Sequence, residues 1–276
     1  DIKNIKKVVG LALTLAVAAS IAFLVPAVVC PEAVMRIFTA SEDAIQVGAG
    51  YLTIVALSYP ATAVSNTFVA MLRATGRVKA PVVISSCTIF INIFFNYTFI
   101  YGNFGGPATG AALATLMARL AEALSIILVV YLGKAPVAAR FKDMFGYSRE
   151  FLVQFFSTTS PVIANEFIWG LGTTLYSLAY GRMGNDAVAA ITIATTIQDI
   201  VTVLFQGLSA ATAVIMGNEM GAGKLKRAER YAKNFLILQF IVTILGALFC
   251  VAIRWQIISV YNITPEIAES VSRCII

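Results

Sequence analysis

Long apolar runs separated by short polar segments dominate this sequence. A helix of about 20 apolar residues is long enough to cross the hydrocarbon core of a bilayer. Seven runs of that kind predict membrane-spanning helices, and an eighth begins near Pro265. The predicted spans cover approximately residues 7–30, 43–72, 79–101, 107–132, 150–181, 186–220 and 229–257. The pattern therefore predicts an all-α, polytopic membrane protein.

Composition agrees with this class. Charged residues make up 12% of the chain and hydrophobic residues 59%, with a mean hydropathy of +0.85. Soluble domains carry about 25% charged residues. The absence of histidine excludes His-dependent catalytic triads and His-ligated zinc sites. The four cysteines lack the spacing of a metal site, and no cofactor is predicted.

Basic residues are concentrated in alternate loops. The loops near 73–79, 134–149 and 221–233, together with the first residues of the chain, hold most of the 20 Lys and Arg. Cytoplasmic loops carry such an excess, so we expect these loops to face the cytoplasm and the protein to lie in the cell inner membrane. The net charge of +6 is thereby explained without a nucleic-acid partner.

A weak internal repeat links two segments 223 residues apart. The segment 35–45 parallels 258–268: an apolar span ends, an aromatic follows, and a helix starts with Ser41 or Thr264 as N-cap. Six spans separate the copies, which predicts two six-helix lobes related by a parallel repeat. The repeat also predicts two spans before Asp1 and about three after Ile276. The predicted parts are residues 1–133 of the first lobe, a cytoplasmic linker at 134–149, and residues 150–276 of the second lobe.

Glu166 is an ionisable group in the middle of the fifth span. Such carboxylates mark ion pathways, proton relays or buried partners. The same helical face carries Thr159, Gly170, Thr173 and Ser177. A carboxylate with hydroxyls suits Na⁺ coordination or proton exchange. A helix-packing stripe explains the small and hydroxyl residues equally well, but it does not explain Glu166.

The sixth span carries a second carboxylate, Asp199. It shares a stripe with Thr192, Thr195, Thr202 and Gln206. A short turn joins the two spans and predicts a hairpin in which Glu166 and Asp199 differ in depth by about 5 Å. Two alternatives remain open: the carboxylates share a proton in one cavity, or Asp199 faces a local water pocket or neighbouring hydroxyls.

Other polar pairs within the spans favour structural roles. Arg119 and Glu122 are three residues apart and predict an ion pair that stabilises helix packing. Asn92 and Asn96 are four apart and predict hydrogen bonds to neighbouring helices. Prolines at 26, 60 and 161 fall in or beside spans, where kinks are expected.

Several segments resemble the multidrug and toxic compound extrusion (MATE) transporters. The similarity covers nearly the whole chain, and the motifs are specific in combination and order. They are Ala70-Met-Leu-Arg-Ala-Thr-Gly-Arg-Val-Lys-Ala-Pro, Ile91-Asn-Ile-Phe-Phe-Asn-Tyr-Thr-Phe-Ile-Tyr-Gly, Gly106-Pro-Ala-Thr-Gly-Ala-Ala-Leu-Ala-Thr, Gly184-Asn-Asp-Ala-Val-Ala-Ala and Met216-Gly-Asn-Glu-Met-Gly-Ala-Gly.

The resemblance implies twelve helices, of which this chain covers helices 3 to 9 and the start of helix 10. It implies export of cationic or amphipathic drugs, coupled to Na⁺ or H⁺ by alternating access. Glu166 looks like the helix 7 glutamate that contributes to cation binding in sodium-coupled members. Asp199 does not match a motif of the family.

The sequence therefore predicts a monomeric antiporter in the lipid bilayer, not an enzyme. Its predicted coupling residues are Glu166, Asp199, Thr173 and Ser177, with Glu166 the candidate Na⁺ ligand. Predicted contributors to the substrate cavity are Asn96, Gln206 and Trp169. Two alternatives are a flippase for lipid-linked sugars and an intramembrane enzyme that uses Glu166 and Asp199.

Overall fold

A computed structural model of the chain describes residues 2–102 and 106–258. This part is almost entirely helical and contains no β-strand, which confirms the all-α prediction. The helices are α1 (Ile2–Val29), α2 (Pro31–Phe38), α3 (Glu42–Ala56), α4 (Tyr59–Ala74), α5 (Lys79–Tyr101), α6 (Pro107–Leu132), α7 (Arg149–Met183), α8 (Asn185–Gly221) and α9 (Leu225–Ile258), with a 3-10 turn at Phe141–Asp143. The span predicted near Pro265 and Cys274 lie outside the described residues.

The second predicted span, 43–72, is wrong as a single helix. It consists of α3 and α4, which meet at a bend of 49°. Pro60 occupies the first turn of α4. Its ring would clash with the carbonyl of residue 56 in a continuous helix, whereas a first turn tolerates its missing N–H. The α3 helix accordingly ends at Ala56. The helices α1 and α7 continue without a break through Pro26 and Pro161.

The polar segment between the first two predicted spans is also partly helical. It forms the short helix α2, with Pro31 in its first turn. Arg36 of α2 approaches Glu42 of α3 at 3.5 Å, and both side chains are exposed. Ser41 occupies the predicted N-cap position of α3, although its side chain makes no capping hydrogen bond. The second copy of the repeat, with Thr264, lies outside the described residues.

Within the described residues, four helices are long and apolar enough to cross a membrane, and α3 with α4 forms a fifth span if the bent pair is counted as one. The four are α1, α5, α6 and α9. These spans confirm a polytopic architecture. The two remaining predicted spans, α7 and α8, are not in this set, so their membrane crossing stays a prediction. In α7, Asn165, Glu166 and several hydroxyl residues interrupt the apolar run.

The chain divides into two compact units, Asp1–Leu178 and Ala179–Ile276. The division into two lobes joined by a linker at residues 134–149 stays a prediction. The segment 134–148 belongs to the first unit, and it is not an extended tether. Val137 and Ala139 of this segment are buried in one hydrophobic core with Val9, Leu72 and Ile126.

Two polar contacts and one close backbone approach connect the middle of this segment to the helices around it. Lys6 of α1 forms an ion pair with Asp143 at 3.1 Å. The hydroxyl of Tyr131 donates a hydrogen bond to the carbonyl oxygen of Ala139 at 3.0 Å. At Gly10 the backbone of Met144 approaches α1 so closely that a Cβ would overlap its carbonyl oxygen. The segment is therefore packed as part of the core of the first unit.

Candidate functional site

Glu166 lies 17 residues from either end of α7, as the sequence predicts. At 1.5 Å per residue this places it about 25 Å along the helix from each end. Its side chain is exposed, as are most of its neighbours, and α7 has no buried residue in the described structure. Within the described residues, no basic group lies within 4 Å of its carboxylate. Glu166 is thus a mid-helix acid without a protein counterion there.

The hydroxyls near Glu166 direct their protons to their own helix. Thr173 donates to the carbonyl oxygen of Gly170 at 2.9 Å, and Ser177 donates to that of Thr173 at 3.0 Å. Thr159 likewise donates to Phe155. A hydroxyl has one proton and two lone pairs, so each oxygen keeps its capacity to accept a hydrogen bond or coordinate a cation. This geometry is compatible with the predicted oxygen-rich stripe.

Asp199 lies on α8 and is exposed, as is Gln206. Thr192, Thr195 and Thr202 donate to carbonyl oxygens of α8, in the same manner as the α7 hydroxyls. Glu166 and Asp199 belong to different compact units. Their sharing of a proton therefore stays a prediction, and so does the hairpin of α7 and α8, which are separated only by Gly184.

The first unit also contains a cavity of mixed polarity that was not predicted from the sequence. It has a volume of about 690 Å³ and lies between α4, α5 and α6. Hydroxyl, amide and charged side chains line much of it. They are Asn66 and Arg73 of α4, Ser85, Thr88 and Asn92 of α5, and Thr115, Arg119 and Glu122 of α6. Val69 and Ile89 are among its apolar lining residues. Such a mixed lining suits an amphipathic ligand.

A three-residue cluster lies in the wall of this cavity. Arg119 binds Glu122 through Nη1 and Oε2 at 2.9 Å, as the spacing predicts. The hydroxyl of Ser85, on the facing helix α5, donates to Oε1 of the same carboxylate at 3.2 Å. The Glu122 side chain is only 10% exposed, whereas that of Arg119 is 45% exposed. Both carboxylate oxygens of a nearly buried acid are therefore hydrogen-bonded.

Asn92 and Asn96 were predicted to hydrogen-bond to neighbouring helices, and this prediction is wrong. Asn96 donates from Nδ2 to Oδ1 of Asn92 at 2.9 Å, along α5 and not across to another helix. Residues four apart are neighbours on a helix surface, which makes this bond geometrically direct. Ser85, Thr88, Asn92 and Asn96 recur at helical spacing, and this stripe is the sequence signal that could have located the cavity.

The predicted cavity residues are not gathered around this space. Asn96 and Trp169 do not line it, and Trp169 is largely exposed on α7. Gln206 lies in the other compact unit. Within residues 2–102 and 106–258, no three Cys, Asp or Glu side chains form a metal-binding group. A Na⁺ site at Glu166 stays a prediction.

Comparison with known proteins gives related sequences of greater length. One is named "probable multidrug resistance protein NorM" in Neisseria meningitidis serogroup B, 25% identical over 79% of this chain and 49% of that protein. The NorM protein of Thermotoga maritima is 23% identical over 86% of this chain and 52% of its own length. The multidrug resistance protein MdtK of Yersinia pseudotuberculosis is 25% identical over 71% and 44%. The chain spans about half the length of the curated relatives it matches.

Solved structures share the fold. The outward-facing conformation of a multidrug resistance MATE family transporter superposes with a TM-score of 0.78 at 20% identity, covering 98% of this chain and 60% of that one. A MATE protein in a bent conformation gives a TM-score of 0.76 at 19% identity, covering 97% and 60%. The MatE family model matches residues 1–98 and 161–276, well over half of the chain. On this match, the chain belongs to the MATE family.

Proposed function

We propose that the protein to which this chain belongs exports cationic or amphipathic drugs by cation-coupled antiport. The family membership and the names of the relatives support multidrug efflux. The observation that supports coupling through this chain is Glu166, an acid halfway along a 35-residue helix without a basic partner in the described structure. Titration or cation binding at such a group changes the charge of the helix within the membrane.

In this mechanism Glu166 binds a proton or Na⁺ in the conformation that opens the binding site to the outside of the cell. Binding neutralises the carboxylate and lowers the cost of closing the site away from water. Release on the other side restores the charge, and the drug moves in the opposite direction. The lone pairs of Thr173 and Ser177 supply further oxygen ligands in the sodium version. For proton coupling, the same lone pairs accept a hydrogen bond from the protonated carboxyl group.

The decisive experiment compares two glutamates of the same helix in the full-length protein. Glu166→Gln removes the mid-helix charge, whereas Glu150→Gln removes an exposed charge in the first turn of α7. Cells without their own efflux pumps are tested for ethidium resistance, and immunoblots of membranes measure expression. We expect Glu166→Gln to abolish resistance at normal expression and Glu150→Gln to retain it.

Everted vesicles then identify the coupling ion. In these vesicles drug export is measured as ethidium uptake into the lumen. Uptake driven by an imposed Na⁺ gradient indicates Na⁺ coupling, and uptake driven by an imposed pH gradient indicates H⁺ coupling. Wild-type efflux rates in the Glu166→Gln variant under both gradients would contradict the proposed role of this carboxylate.

The flippase alternative receives less support from the cavity of the first unit. A diphosphate ligand requires several uncompensated cations. Arg73 and Arg119 both line the cavity, but Arg119 is already bound to Glu122. Transport of a lipid-linked sugar by the reconstituted full-length protein, with no efflux of ethidium, would favour the flippase. An enzyme is disfavoured because the chain belongs to a transporter family.

A further inference from the structure

A basic patch surrounds a surface concavity at the start of α9. The concavity has a volume of about 520 Å³ and is lined by Gly223, Lys224, Leu225, Lys226, Arg227 and Arg230. Four of these six residues are cationic, and none is acidic. A surface of this composition attracts an anion with several oxygen acceptors.

Three of the four cations have no carboxylate partner among the described residues. Arg227 lies 4.0 Å from Glu219, and the nearby Lys233 lies 3.1 Å from Glu229. Within the part of the chain that the structure describes, no carboxylate lies within ion-pair distance of Lys224, Lys226 or Arg230. The patch thus retains a local charge that the protein itself does not neutralise.

The patch is continuous with the exposed apolar surface of α9. The patch lies at the start of α9, which has the highest hydropathy of the described candidate spans. The most apolar stretch of α9 contains no buried residue in the described structure. Leu236, Ile237 and Phe240 are all more than half exposed. When these side chains lie among acyl chains, the basic patch, about two to four helical turns before them, lies at the depth of the lipid headgroups.

We propose that the basic patch binds the phosphodiester headgroup of an anionic phospholipid. Arg230 presents a guanidinium fork that matches two phosphate oxygens, while Lys224 and Lys226 supply point charges from the helix start. Continuity with the apolar span favours a lipid over a free anion, because the acyl chains of a bound lipid pack along α9. The proposal does not depend on which drug or coupling ion the protein uses.

Native mass spectrometry of the purified full-length protein tests the proposal. The detergent-solubilised protein is titrated with phosphatidylglycerol and, separately, with phosphatidylcholine of the same acyl chains. We expect the first phosphatidylglycerol to bind at least about tenfold more tightly than phosphatidylcholine, since each basic residue near a surface contributes up to about fivefold. The variant Lys224→Gln/Lys226→Gln/Arg230→Gln is expected to lose that preference.

A matched variant controls for net charge. Lys134→Gln/Arg140→Gln/Lys142→Gln removes the same charge from the segment 134–148 and is expected to keep the lipid preference. The proposal would be overturned if both triple variants lost the preference for phosphatidylglycerol equally, or if the wild type showed no such preference. Excess inorganic phosphate is expected to compete poorly; full displacement would instead indicate a site for free phosphate and would also overturn it.

A single symmetric peak in size-exclusion chromatography establishes that each variant is folded. If the triple variant aggregates, Arg230→Gln alone provides the comparison and is expected to weaken phosphatidylglycerol binding several-fold. Unchanged binding in that variant would also overturn the proposal. Ethidium resistance, measured in parallel, separates this site from the coupling role of Glu166.

Discussion

At the scale of single residues, Glu122 is the acid whose surroundings are best defined. Its carboxylate is nearly buried and receives hydrogen bonds from Arg119 and Ser85. Removing Arg119 leaves this charge without its cation. We expect Arg119→Met to destabilise the full-length protein by about 2 kcal/mol, below the range for fully buried pairs because Arg119 is half-exposed. Thermal unfolding of the detergent-solubilised protein measures the loss.

The double variant Arg119→Met/Glu122→Met is the control for this prediction. It removes both charges together, and replacement of an ion pair by apolar side chains is often neutral. We therefore expect it to recover most of the stability lost in the single variant. A double variant that unfolds as early as Arg119→Met would show that the pair is not what the arginine contributes.

Thr173 tests whether the hydroxyl stripe near Glu166 binds the coupling cation. Thr173 and Thr174 both donate their protons to the carbonyl oxygen of Gly170, and both are exposed. They point to different sides of α7, because successive residues are rotated by about 100°. We expect Thr173→Val to raise the Na⁺ concentration for half-maximal efflux by about tenfold. Thr174→Val is expected to leave it unchanged.

Equal effects of the two valine substitutions would remove Thr173 from the ligand set. So would a normal Na⁺ dependence in Thr173→Val.

The intrahelical ion pair of α6 was predictable from the sequence, whereas the contact of α5 with α6 was not. The spacing of Arg119 and Glu122 predicts their ion pair because it depends only on the geometry of α6. The hydrogen bond from Ser85 depends on the register of α5 against α6, which no periodicity specifies. The partner of Asn96 was mispredicted for the related reason that an intrahelical bond competed with an interhelical one.

At the scale of elements, apolar length predicts a span but not its continuity. The bounds of α5 and α6 match the predicted spans, because each is one apolar run between turn-forming residues. The 43–72 run has comparable hydropathy, yet Pro60 divides it into α3 and α4. The helix α2 was missed because eight amphipathic residues after a span resemble a loop in composition.

Gly10 controls the contact between α1 and the segment 134–148. A Cβ at this position would overlap the backbone carbonyl of Met144, so either the helix or the segment must move. We expect Gly10→Ala to destabilise the protein, since overpacking costs about 1–3 kcal/mol. That cost exceeds the gain of about 0.5–1 kcal/mol from placing alanine within a helix. The loss is measured by thermal unfolding.

Gly50 provides the comparison for this prediction. It lies within α3, is exposed, and has open space where a Cβ would be. Gly50→Ala should therefore show the helix propensity gain alone and leave stability unchanged or slightly higher. Equal stability of the two alanine variants would mean that the contact between Gly10 and Met144 is not tight in the membrane.

At the scale of the whole molecule, the sequence predicts a topology that hydropathy alone does not establish. The family membership confirms a polytopic transporter fold, and in residues 2–102 and 106–258 four helices, or five spans if the bent pair counts as one, are long and apolar enough to cross a membrane. The crossing of α7 and α8 rests on the alternation of basic loops, because polar residues such as Glu166 make the apolar run of α7 weaker. The residue for which we propose a coupling role, Glu166, is thus one of those that weaken the apolar signal of α7 as a span.

Cysteine labelling tests this topology directly. In a full-length, cysteine-free background, single cysteines are placed at Ala40, Lys142, Met183 and Lys226, which are all exposed. The positive-inside rule places Lys142 and Lys226 in the cytoplasm. If α7 crosses the membrane, Met183 at its end lies on the opposite side, together with Ala40. A membrane-impermeant maleimide should therefore label Ala40→Cys and Met183→Cys in intact cells, and the other two only after permeabilisation. Labelling of Met183→Cys only in permeabilised cells would mean that α7 does not cross, and Glu166 would then lose its position midway through the membrane.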